Sequence, residues 1–229
     1  MNYQWEKIFG WNGEMQHRIF KIAVPNGIEN GLFQLIKVAL SSITALFGTV
    51  QIAANGVAQS FWSMAALMGA AMGPAFVTVI GQCMGAGDTD GAEFYFHKLL
   101  KITYWTSIAW NALVLLVTPL LLSFFALSQE AKELVLILVL IHNVFNSVLF
   151  PISGALPNGL RAAGDVKYNM HVSILTTVFC RLVLSVILGK WLNLGVIGIT
   201  LAMCADWAAK GFFFYVRYRK GYWKKIQII

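Results

Sequence analysis

Charge is what this sequence has least of. Asp, Glu, Lys and Arg make up 12% of 229 residues, and between Val38 and Gly87 there is none. Ordinary soluble domains carry about 25% charged residues. With 58% hydrophobic residues, the chain has more apolar surface than one soluble core of this size could hide, so the solvent it fits is lipid. A helix needs about 20 apolar residues to cross a ~30 Å hydrocarbon core. The stretch from Val38 to Gly87 is too long for one crossing and must turn, and the expected turn is at Gly48-Thr49.

Cysteine is also scarce. Cys83, Cys180 and Cys204 are isolated, with no CxxC or Cys/His metal spacing, and an odd count argues against a disulfide framework. No P-loop, zinc spacing or nucleophile–base constellation appears. An enzyme has no support, and neither a metal nor a cofactor is expected. The first twenty residues hold Glu6, Lys7, Glu14 and Arg18 without a long apolar run. That excludes a cleavable signal peptide, and insertion is expected to rely on the first spans. The period-2 alternation of a membrane barrel is missing too.

What is present is a series of long apolar runs. Ile102 to Gln129 and Leu134 to Leu160 carry no Asp, Glu, Lys or Arg. The runs predict an all-α integral membrane protein, a bundle of about six transmembrane helices at approximately 19–46, 50–80, 94–123, 132–156, 168–189 and 194–216. Segment 1–18 precedes this bundle and a basic tail, 217–229, follows it. The net charge of +7 sits beside the apolar runs, which points to an anionic membrane face and excludes nucleic acid as a partner. Lys7, Arg18, Lys21, Lys98, Lys101, Arg161, Lys167, Arg217, Arg219, Lys220, Lys224 and Lys225 fall on one side of the bilayer. Lys132 and Lys190 fall on the other. By the positive-inside rule both termini should face the cytoplasm, with Trp5, Trp11, Tyr215, Tyr218, Tyr222 and Trp223 in interfacial belts. Ala86-Gly87-Asp88 and Ala163-Gly164-Asp165 read as matching junctions, a helix stop at Gly followed by a start capped by Asp.

Polar groups at membrane depth are costly and mark functional positions by default. Glu29 lies in Pro25-Asn26-Gly27-Ile28-Glu29-Asn30-Gly31, where Pro25 and two glycines should weaken the helix. A carboxylate there could bind a proton or Na⁺, or simply pair with a cation. Lys37 is about 12 Å further along the axis at 1.5 Å per residue, too far to pair with it directly. Arg181 is near mid-span. Asp206 and Lys210, at i and i+4, read as an intrahelical pair that needs no ligand. His142 and Asn146 share one face of span four beside Asn143. They are either ion-handling groups or an interhelical polar contact. Pro151 should kink this span, and Pro157 should close it.

Three segments add a resemblance. Pro25-Asn26-Gly27-Ile28-Glu29-Asn30, Ile80-Gly81-Gln82-Cys83-Met84-Gly85-Ala86-Gly87-Asp88 and Leu160-Arg161-Ala162-Ala163-Gly164-Asp165 resemble the multidrug and toxic compound extrusion (MATE) family, more narrowly the C-terminal six-helix lobe of such a transporter. The likeness runs from about Lys21 to Arg219. It implies a plasma-membrane antiporter that exports amphipathic, often cationic, drugs and toxic organic compounds in exchange for H⁺ or Na⁺. Two lobes enclose a cavity and rock to alternate access. Glu29 sits where many members carry the coupling glutamate of their seventh helix. Asn146 stands where some carry an aspartate in the tenth helix, and His142 where some carry a tyrosine. Glu29, His142 and Asn146 are therefore the coupling candidates. Gln34, Lys37, Asn143 and Arg181 are candidates to line a substrate cavity, and Pro25 and Pro151 are candidate kinks. The length departs from the family, whose members have about twelve helices. The partner lobe is expected as a missing N-terminal half, as a separate chain, or as a second copy. If it is a missing half, residues 1–20 are what remains of the inter-lobe linker. Two other readings compete: a lipid-linked oligosaccharide flippase of the same superfamily, with Arg181 and Lys37 facing inward, and a non-transporting scaffold subunit, with Glu29 lining no cavity.

Overall fold

The computed structural model describes residues 13–226, so Trp5, Lys7, Trp11 and most of segment 1–18 lie outside the described residues. Six long helices follow one another: α1 Gly13–Ala45, α2 Thr49–Gly85, α3 Thr89–Ser123, α4 Gln129–Ala162, α5 Val166–Trp191 and α6 Gly195–Arg219. A short 3₁₀ turn, Tyr222–Lys225, closes the described chain. Helices α2 to α6 are long and apolar enough to cross a membrane. At 33 residues α1 is long enough as well, but Glu29, Asn30, Gln34 and Lys37 interrupt its apolar run.

The helix ends follow from local chemistry. The first turn is at Leu46–Gly48, as expected. At the paired junctions, Gly87 and Gly164 take φ of 75° and 90°, the left-handed region that glycine enters without a Cβ penalty. Asp88 N–H donates to Cys83 O and Gly87 N–H to Met84 O. Asp165 N–H and Gly164 N–H do the same to Leu160 O and Arg161 O. Both junctions are Schellman closures that satisfy the last carbonyls of α2 and α4. The expected symmetry stops there. Asp88 Oδ1 accepts from Gly91 N–H at 2.8 Å and caps α3. Asp165 caps nothing, because Arg217 takes both of its oxygens, at 2.6 and 3.2 Å.

Three apolar clusters hold the bundle together, the smallest being Met203, Cys204 and Trp207. Ala54, Ala58, Phe61, Leu122, Val135 and Leu138 join α2, α3 and α4 near the Gly48 end. Phe76, Ile80, Phe96, Leu156, Phe214 and Trp223 close the opposite end. Large apolar side chains also cover the outside: Leu35, Leu116, Phe124 and Trp191 are all about two-thirds exposed or more, as a lipid-facing surface requires. Asn146 Nδ2 donates to Asn111 Oδ1 at 3.1 Å and to Ala65 O at 3.2 Å, which ties α4 to α3 and α2.

Three expectations are corrected. Pro25 does not break α1, which is helical throughout. A proline forfeits one hydrogen bond, and in lipid the remaining backbone groups find partners only inside the helix. Pro151 and Pro157 do not bracket the end of the fourth span; both lie inside α4. Pro151 opens a π-helical segment, Pro151–Ala155, in which Leu156 N–H reaches back to Pro151 O. The wider turn absorbs the missing donor, and the helix runs on to Ala162. Trp223 and Tyr218 are not exposed as belt residues would be: both are buried. Gly221, at φ 67°, folds the tail back so that Trp223 is fully buried, its ring centroid 4.9 Å from that of Phe96 and its Nε1–H donating to Tyr218 O at 3.1 Å.

Candidate functional site

Glu29, Phe33 and Lys37 are spaced i, i+4 and i+8, so they form one stripe along α1. The stripe faces two cavities. Their shared helix is the most loosely held of the six. Among its described side chains only Ile36, Leu40 and Thr44 are buried.

The first cavity, of about 220 Å³, lies between α1, α4, α5 and α6 and is lined by Glu29, Asn30, Ser153, Arg161, Thr177 and Lys210, among others. Glu29 Oε1 accepts from Arg161 Nη2 at 2.6 Å, with the two side chains 18% and 25% exposed. Glu29 Oε2, Arg161 Nε and Ser153 Oγ have no partner. The pair borders the cavity and leaves polar atoms of both partners unsatisfied, so protonation or an arriving cation can displace Arg161.

The second cavity, of about 250 Å³, is lined by Lys37, Asn55, Gln59, Trp62, His142 and Arg181, with further groups from α1 and α6. His142 is fully buried, yet neither ring nitrogen has a partner. The same holds for Asn55 Oδ1, Trp62 Nε1 and Arg181 Nε.

A buried ion cluster sits between the cavities. Asp206 Oδ2 accepts from Lys210 Nζ at 2.9 Å and lies 3.7 Å from Arg181 Nη1. Lys210 Nζ also donates to Thr177 Oγ1 at 2.8 Å. The Arg181 guanidinium stands 4.9 Å from the Phe33 ring centroid, and Lys210 Nζ 5.9 Å from it. Two cations thus share one carboxylate and one aromatic face. The i, i+4 pair read from the sequence exists, but it is neither isolated nor ordinary. Arg181 lies in a second π-helical segment, Thr177–Val183, and such widened turns concentrate at functional positions.

The coupling candidates do not converge. Glu29 lines the first cavity and His142 the second, while Asn146 lines neither. Its hydrogen bonds to Asn111 and Ala65 are the interhelical contact of its alternative reading. Asn143 is buried and donates to Val139 O of its own helix at 2.8 Å. Gln34 is exposed on α1. Lys37 and Arg181 do share a cavity. Pro25 precedes Glu29 by one turn, and the π segment that Pro151 opens puts Ser153 and Gly154 into the first cavity. Sequence reasoning missed Arg161, Phe33 and Trp62. Arg161 was legible only as a helix-end charge, and for the two aromatics no signal separated them from other lipid-facing rings. Among the described residues no cluster could hold a metal ion.

Residues 25–187 match the model of the MatE family. The chain belongs to the MatE family. It is therefore a multi-pass membrane protein of a transporter family. It is 23% identical over 227 residues to the transporter YisQ of Bacillus subtilis, covering 95% of this chain and 48% of YisQ. It is 19% identical over 214 residues to the probable multidrug resistance protein NorM of Thermotoga maritima, covering 93% and 46%. The chain spans about half the length of the curated MatE relatives it matches. Solved structures agree on the fold. A MOP superfamily transporter from Pyrococcus furiosus, described as having a binding pocket of reverse polarity, superposes with a TM-score of 0.82 at 19% identity, covering 92% of this chain and 46% of that one. MATE structures in straight and bent conformations each superpose with a TM-score of 0.82 at 19% identity, covering 95% of this chain and 49% and 48% of theirs.

Proposed function

We propose that this chain is the C-terminal lobe of an H⁺- or Na⁺-coupled antiporter of the plasma membrane, with both termini cytoplasmic, and that it exports amphipathic organic compounds. Glu29 is the coupling group. One observation carries this reading: the Glu29 carboxylate is only partly exposed, borders a cavity of about 220 Å³ and keeps one oxygen without a partner, while its one ion-pair partner among the described residues, Arg161, borders the same cavity. The ion pair is a tether between α1 and the end of α4. Neutralising Glu29 with a proton, or engaging it with Na⁺, releases Arg161 and with it the least anchored helix of the lobe. A ligand that binds one form of a two-state element better than the other shifts the population. Binding at Glu29 would in this way be converted into movement of α1 and altered access to the cavities. The scaffold reading has no use for a carboxylate beside a cavity. The second lobe needed to close the pathway is the missing half of a longer chain, a separate polypeptide or a second copy.

The test is export driven by an imposed H⁺ or Na⁺ gradient in membranes containing the two-lobe assembly. Glu29→Gln keeps the shape and removes the charge. Export by that variant should fall by about tenfold or more, because the coupling ion loses its carboxylate, a charge-assisted contact worth about 1.5–3 kcal/mol, and what remains should no longer respond to the gradient. Wild-type export with unchanged coupling stoichiometry would defeat the role.

A further inference from the structure

The polarity of the second cavity conflicts with the cationic cargo that family resemblance suggests. We propose that this cavity receives an anionic group, a carboxylate, phosphate or sulfonate carried by an amphipathic compound, so that the transported class is acidic at this end. The inference rests on the transporter reading and names its substrate class.

No carboxylate lines the cavity, whereas Lys37 and Arg181 both do. Lys37 is in no ion pair among the described residues. Arg181 donates to Met203 Sδ and shares Asp206 Oδ2, at 3.7 Å, with Lys210, which holds that oxygen more closely at 2.9 Å. Across the lobe interior, Lys37, Arg161, Arg181 and Lys210 face only Glu29 and Asp206, an excess of two positive charges. Glu29 and Asp206 are each held most closely by a cation outside this cavity, Arg161 and Lys210, so the excess falls on Lys37 and Arg181, which line it. An organic cation placed there would meet two like charges and no carboxylate in the lining, with Asp206 behind Arg181 already shared by two cations, which costs rather than contributes.

Unpartnered donors outnumber the one unpartnered oxygen acceptor, Asn55 Oδ1, in the rest of the lining. Trp62 Nε1–H and Arg181 Nε–H are buried without partners, and His142 presents two unpartnered ring nitrogens, at least one of them a donor in either tautomer. Guanidinium, ammonium, indole and imidazole N–H groups converging on one space are the donor set that carboxylate and phosphate oxygens fill. Orphaned buried donors cost free energy that a bound acceptor recovers. The Trp62 ring, stacked on Trp207 at 6.1 Å and 23°, gives the apolar part of an amphiphile a flat wall.

Equilibrium binding to the full chain in nanodiscs tests this with short probes that partition little into lipid. Butyl phosphate should bind at least about tenfold more tightly than butyltrimethylammonium, the preference expected for a charge-assisted hydrogen bond. Lys37→Gln, at an exposed position that folding does not need, should reduce that preference about tenfold. Lys37→Glu should abolish or reverse it. Trp62→Phe should weaken butyl phosphate while leaving the preference in place. Competition by inorganic phosphate locates recognition in the head group alone. Competition by phosphatidic acid in the nanodisc identifies a lipid-borne phosphate, and failure of both to compete identifies a free amphiphile; each of these supports an anion site and names its source. Equal or tighter binding of the ammonium probe, or a preference that both Lys37 variants leave intact, overturns the proposal. Because binding is read without transport, loss of coupling in Glu29→Gln with probe preference intact would fault or support the two readings separately.

Discussion

Asp206→Ala should destabilise the lobe by about 3–5 kcal/mol, the cost of removing one partner from a buried ion pair, and should do so more than any other single charge removal. Asp206 is fully buried. Its loss leaves Arg181 and Lys210 as like charges over the Phe33 ring, with Glu29, across the first cavity from Lys210, the nearest remaining carboxylate. Glu29 does not take its place, being held by Arg161 at 2.6 Å. The contrast with the Glu29–Arg161 pair follows from burial. The same chemistry at the edge of a cavity contributes less than in a closed cluster, so Glu29→Gln should lower the unfolding midpoint in detergent less than Asp206→Ala does. A second contrast separates charge from packing. Replacing all three cluster members, as Arg181→Met, Asp206→Leu and Lys210→Met together, removes every buried charge and should recover most of the loss. An Asp206→Ala protein as stable as the wild type, or a triple variant less stable than the single one, would show that the cluster is not electrostatically closed in this way.

The second large effect is steric. Gly198→Leu should prevent α5 and α6 from closing, at a cost of about 3 kcal/mol or more. A Cβ at Gly198 would stand 2.6 Å from both Gly189 N and Leu188 C and 2.8 Å from Leu188 O. These are backbone atoms of the last turn of α5, which cannot rotate aside as a side chain can. Small residues at helix crossings are how membrane bundles bring backbones together. Even Gly198→Ala should lower the unfolding midpoint. Gly27 and Gly31 in α1 make the control, since a Cβ at either meets nothing within 4 Å. Alanine there should be neutral or stabilising through helix propensity, which favours Ala over Gly by about 1 kcal/mol. Thermal unfolding of the purified chain in one detergent compares all four. A tolerated leucine at Gly198 would mean that the α5–α6 crossing is looser than described.

Much of the fold was legible because lipid imposes long uncharged runs. Five of the spans and all of the turns fall near the places where charge and glycine reappear, and the Gly-Asp junctions declared themselves twice. The misreadings share a cause: each depended on what a residue meets across the bundle. Pro151 and Pro157 signal a helix end locally, yet a π turn and the packing of Leu156 and Leu160 carry α4 past both. Asp206 and Lys210 gave away their spacing, but Arg181, on another helix, turned the pair into a buried cluster. Glu29 was legible as a charge at membrane depth. Its partner was not, because Arg161 sits at a helix end where basic residues are common. Trp223 follows three basic residues, Arg217, Arg219 and Lys220, and two tyrosines, Tyr218 and Tyr222, the pattern of an interfacial tail, and only the turn at Gly221 folds it inward. Asp165 repeats the cap motif of Asp88 but is claimed by Arg217. Local motifs predicted local geometry well and partnerships poorly.

The centre of the account is that water reaches the Glu29 carboxylate from between helices. In the native membrane, with Cys83, Cys180 and Cys204 replaced by alanine, Glu29→Cys should react with a small membrane-impermeant thiol reagent, and Leu35→Cys on the lipid-facing side of the same helix should not. An unreactive thiol at position 29, under both directions of the imposed ion gradient, would place that side chain in a dry contact and contradict its role in coupling.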